Sequence, residues 1–82
     1  MDNVRFQFEL SPQKAKEIDE LMEECGVETK KEFFNNALSL FKWAVKEIKR
    51  GHAIASVDEK HGKYRELQMP ILEGLAPHDQ AR

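Results

Sequence analysis

Asn3-Val4-Arg5-Phe6-Gln7-Phe8-Glu9-Leu10-Ser11-Pro12 is the stretch on which the fold turns. Val4, Phe6, Phe8 and Leu10 alternate with Asn3, Arg5, Gln7 and Glu9. A period of two puts successive side chains on opposite sides of an extended chain, so this predicts a strand over residues 3–10 with one greasy and one polar face. The next strand candidate lies far downstream. A lone strand with an exposed row of Val and Phe invites pairing. Either it forms the edge of a monomeric α+β fold, or the same strand of a second copy covers it.

Ser11-Pro12 ends that strand and opens a helix. The serine hydroxyl can accept from a free amide of the first turn, and proline suits the first helical position because its missing N–H is not needed there. Ala15, Ile18, Leu21, Met22 and Cys25 then recur at helical spacing, with Lys14, Lys16, Glu17, Asp19, Glu20, Glu23 and Glu24 mostly on the other faces. Gly26 provides a left-handed stop, and Val27 can pack back on the last turn. Thr29-Lys30-Lys31-Glu32 is a capping box for a second helix. Its stripe is Phe34, Ala37, Leu38, Phe41, Ala44, Val45 and Ile48, widened by Phe33 and Leu40. A face this wide predicts more than one neighbour. Lys46, Lys49 and Arg50 suit the negative end of the helix dipole, and Gly51 stops the helix.

Beyond Gly51 the periodicity returns to that of strands. Residues 53–57 and 64–69 flank a polar loop that contains Gly62, which predicts a β-hairpin. Pro70 ends it, and Ile71, Leu72 and Leu75 suggest a short turn that packs. Residues 76–82 read as a flexible tail. The expected organisation is thus 1–51, an extension over 52–75, and the tail.

Length and charge narrow the function classes. The chain has 82 residues, enough for one small core that often needs a partner. Hydrophobic residues make up 40% and charged residues 34%, a globular balance rather than a disordered one. The apolar runs are far too short for a bilayer span, so no membrane partner is expected. The opening Met1-Asp2-Asn3-Val4-Arg5 lacks the layout of a secretory leader, and the expected compartment is the cytoplasm. Residues 1–28 hold three basic and eight acidic side chains, a net of −5. Residues 29–51 hold six and two, a net of +4, and residues 52–82 hold four and five, a net of −1. The middle segment is the one suited to an anion.

Other chemistry is poorly served. Cys25, the only cysteine, excludes an internal disulfide and lies on an apolar stripe as a small core residue. His52, His61 and His78 are widely spaced, with no metal-ligand pattern joining them. No phosphate-cradling Gly loop or nucleophile elbow is present. The reading is of a non-enzyme with no cofactor and no metal. Trp43, off the main stripe, is available to dock the hairpin or a second copy.

Strand, capped helix, glycine stop and capped helix, carried by residues 4–12, Gly26 and Thr29–Glu32, resemble the ribbon-helix-helix family of bacterial regulators, to which the Arc and MetJ repressors belong. The resemblance covers roughly residues 3–48. It implies a mainly α fold with a short N-terminal strand, built as an intertwined homodimer with a two-stranded antiparallel ribbon, here with a C-terminal hairpin added. It implies double-stranded DNA as partner, the ribbon lying in the major groove. Arg5, Gln7 and Glu9 would face the bases. Arg5 suits guanine and Gln7 suits adenine. Glu9 departs from the usual basic or neutral residue; it can accept from cytosine N4, pair with Arg5 of the other strand, or repel phosphates. Thr29, Lys30, Lys31 and the amides around them would hold phosphates. Phe6, Phe8, Phe34, Leu38 and Phe41 would form the dimer core. The implied function is a transcriptional regulator, with repression expected. The alternative is a dimeric protein-interaction module, or an antitoxin-like protein, with the same fold and little DNA affinity. In that case residues 53–69 would meet a protein partner.

Overall fold

A computed structural model describes residues 3–75, and the tail expected over 76–82 lies outside these residues. The elements in chain order are helix α1 (Pro12–Cys25), helix α2 (Lys30–Lys49), strands β1 (Ala55–Asp58) and β2 (Lys63–Glu66), and a single-turn helix α3 (Pro70–Glu73). The chain is mainly helical, with one two-stranded antiparallel sheet. No described helix is long and apolar enough to cross a membrane. Two compact units divide the chain after Asn35, inside α2.

The first unit runs from the N-terminal segment through the first turns of α2. Ser11 begins α1 as its sequence demands: its Oγ accepts from the Lys14 amide at 3.1 Å, and Pro12 follows at once. Gly26 ends it with φ 70°, in the left-handed region where a Cβ is penalised. The Gly26 amide donates to Glu23 C=O at 3.2 Å and the Val27 amide to Met22 C=O at 2.9 Å, so both orphan carbonyls are satisfied. Thr29 caps α2 in the same way, its Oγ1 accepting from the Glu32 amide at 3.1 Å. Met22 is buried, Ala15, Ile18 and Val27 half-buried. Cys25 is exposed, which corrects its placement in a core: it is the last residue of α1, where the helix ends at Gly26.

The strand expected over residues 3–10 has no ladder among the described residues. Residues 3–11 carry neither helix nor strand, and the described sheet consists of β1 and β2 alone. A strand exists only through its partner, and both described strands, β1 and β2, are paired with each other.

The second unit holds the remainder of α2, the hairpin and α3. Ala44 and Leu72 are buried, and Val45, Ile48, Ile54 and Leu75 half-buried. The α2 terminus repeats the motif of α1: Gly51 has φ 83°, its amide donates to Ile48 C=O and the His52 amide to Glu47 C=O, both at 2.9 Å. The hairpin lies within the predicted region but shifted and shorter than 53–57 and 64–69. Asp58 faces Lys63 as the last pair before the loop, an opposite-charge match that draws both residues into the strands. The flanking apolar residues belong instead to a cleft lined by Ile48, Ile54, Leu67, Met69, Leu72 and Leu75.

Candidate nucleic-acid interface

The residues predicted to contact DNA fall into two places, both within the first unit. The first is the N-terminal segment. Arg5, Gln7 and Glu9 are exposed and alternate along the chain with the apolar row. That row is itself bare: Val4 is 81% exposed, Phe6 85% and Phe8 63%. Arg5 makes no ion pair among the described residues, so its fork of donors is open to a ligand.

The second is the start of α2. The Glu32 amide is closed by Thr29 Oγ1 and the Phe33 amide by Thr29 C=O at 3.1 Å. The amides of Lys30 and Lys31 precede these closed bonds and stand at the open, positive end of a 20-residue helix. Lys31 is exposed and without an ion pair among the described residues. Lys30 is engaged: its Nζ lies 3.5 Å from Asp19 Oδ1 of α1, both side chains about two-thirds exposed at 64% and 65%. Exposed pairs of this kind are weak and give way to a stronger anion. The pairing was not legible in the sequence, because Asp19 and Lys30 meet only after the Gly26 turn has folded the chain back.

One side-chain contact links the two places. The rings of Phe8 and Phe34 meet edge to face, centroids 6.0 Å apart, and Phe34 also meets Phe33 at 5.3 Å. Of the five residues assigned to a dimer core, Phe8 and Phe34 are thus brought together. Phe6 stands free of them, and Leu38 and Phe41, farther along α2, are 55% and 40% exposed. Along α2 the apolar stripe is exposed at Phe34, Leu38 and Phe41 and covered at Ala44; Leu40 beside it and Trp43 off it are 65% and 50% exposed.

The remaining titratable groups sit apart from these places. His52 Nδ1 lies 2.7 Å from Glu47 Oε1, and His61 Nδ1 lies 2.9 Å from Asp58 Oδ2, each a local pair on the surface; His78 lies outside the described residues. Among the described residues no cluster of His, Cys, Asp or Glu could hold a metal. Tyr64 donates to Glu66 Oε2 at 3.3 Å. The charge of Glu66, then desolvation, then that hydrogen bond hold the Tyr64 hydroxyl above its ordinary value of 10.0. Compared with known proteins, the chain matches no family model, no curated protein and no solved structure.

Proposed function

We propose that this chain is a DNA-binding transcriptional regulator of ribbon-helix-helix type, working as a homodimer whose paired N-terminal strands enter the major groove. One observation carries the reading. The N-terminal segment alternates bare Val4, Phe6 and Phe8 with Arg5, Gln7 and Glu9, and has no strand partner among the described residues. A second copy of the same segment, antiparallel across a two-fold axis, satisfies the backbone and covers the rings at once. The ridge left outside then carries two sets of base-reading side chains. The open start of α2, with Lys31 and an exchangeable Lys30, supplies phosphate contacts that fix the ribbon without reading sequence.

Glu9 and the net −5 of residues 1–28 favour the second reading, a dimeric interaction module or antitoxin-like protein that keeps this architecture without DNA. Titration of the full chain with mixed duplex DNA over a salt series separates the two. Counterion release requires micromolar or tighter binding at low salt that weakens steadily as salt rises. No salt-sensitive binding to any duplex would leave the interaction module standing.

A further inference from the structure

The hairpin has two open edges that differ in chemistry. The Leu67 amide donates to Ile54 C=O at 2.7 Å. These two residues are opposite one another, one step beyond the Ala55–Glu66 pair. Bonded and non-bonded pairs alternate along an antiparallel ladder. Ser56–Arg65 and Asp58–Lys63 therefore exchange the bonds inside the hairpin. Ala55 and Val57 on one side, and Tyr64 and Glu66 on the other, aim their amides and carbonyls outward.

A second hairpin can add to either edge only where outward residues meet outward residues. On the β2 edge a copy of itself always meets like charge. The possible registers set Lys63 against Arg65, Arg65 against Arg65, or Glu66 against Glu66. Like charges directly opposite destabilise a ladder. On the β1 edge no register that sets Ala55 or Val57 against Ala55 or Val57 of the copy does so. Ala53-Ile54-Ala55-Ser56-Val57 is neutral throughout, and Asp58 and Glu59 fall opposite residues without negative charge. Charged residues are the usual protection of an exposed edge; β2 carries Lys63, Arg65 and Glu66, and β1 only Asp58 at its end.

We infer that β1 pairs antiparallel with β1 of a second copy of this chain, Ser56 facing Ser56 across a two-fold axis, to make a four-stranded sheet. In this register Val57, 63% exposed in the single chain, lies beside Ala55 of the second copy. The outward amides of Ala55 and Val57 gain acceptors. The need is plain from the sheet itself. Among the described residues β1 and β2 are the elements whose backbones run closely side by side, and a two-stranded sheet alone is marginal in water. The inference does not depend on the N-terminal ribbon.

Amide hydrogen exchange of the full chain, read together with sedimentation, tests it. Ala55 and Val57 amides would face only solvent in a lone hairpin. Protection of both in the purified protein, falling with dilution while the inward Arg65 amide keeps its own, is the expected result. S56E sets a carboxylate opposite Arg65 in its own hairpin, which favours that ladder, but opposite its own copy across the axis. It should speed exchange at Ala55 and Val57 roughly tenfold or more, and lower the sedimenting mass where β1 and not the ribbon joins the copies, while S56T changes neither. Ala55 and Val57 amides that exchange at unprotected rates in the wild-type chain at every concentration would overturn the inference. So would an S56E chain of unchanged mass with both amides still protected.

Discussion

Arg5 carries five N–H donors in a rigid fork, and in this chain none is taken by a carboxylate among the described residues. On a cognate site, Arg5→Ala is expected to cost about 1–3 kcal/mol and to relax the choice of one base, read by titration against single-base variants of the site. Lys31→Ala should weaken all sequences alike and lower the salt slope by about one. Unchanged cognate affinity after Arg5→Ala would remove that residue from the base-reading set. Tyr64 makes a separate test, being the only tyrosine. Its hydroxyl is held up by Glu66, so the neutral form is favoured in the folded hairpin. That contribution is present below the ordinary tyrosine range and is lost as pH rises through the raised value. Glu66→Gln should bring the ultraviolet titration of Tyr64 down toward 10.0.

The elements show how far one-dimensional reading carries. Both long helices and their stops were legible because each boundary is local chemistry: Ser11 and Thr29 hydroxyls on amides three residues on, Gly26 and Gly51 in left-handed backbone. Thr29→Ala should lower stability by about 0.5–2 kcal/mol in a denaturant melt. Gly26→Ala should cost about 1–2 kcal/mol, and through the backbone alone, since a Cβ there meets nothing within 4 Å. The hairpin was legible as a hairpin, but its ends were not. Leu67 and Met69 alternate as strand residues would, yet line the cleft beside Ile48 and Leu72, and periodicity cannot say which neighbour an apolar side chain will meet. Cys25 failed for a like reason: a place on a helical stripe does not guarantee a facing surface at the last turn. Of the candidate site, the alternation at 3–10 and the cap at Thr29 were visible in sequence, while the Lys30–Asp19 pair and the Phe8–Phe34 contact needed the fold.

At the scale of the whole molecule, the bare apolar surface governs what the chain does in solution. Phe6, Phe8, Leu38 and Phe41 are all exposed in one copy. A homodimer that covers them folds and assembles together, so its melting temperature must rise with protein concentration. Phe6→Lys should then abolish the cooperative melt rather than merely yield a folded monomer, as circular dichroism with sedimentation would report. A well-folded monomer at micromolar concentration would contradict the ribbon itself.

The charges along β2 have a consequence for how large any assembly grows. With Lys63, Arg65 and Glu66 guarding one side, a sheet that joins at Ser56 ends on both flanks in strands that reject another copy. Growth of this sheet stops at four strands instead of running on edge to edge, which is what a hairpin with one sticky border and one repellent border requires to stay dispersed.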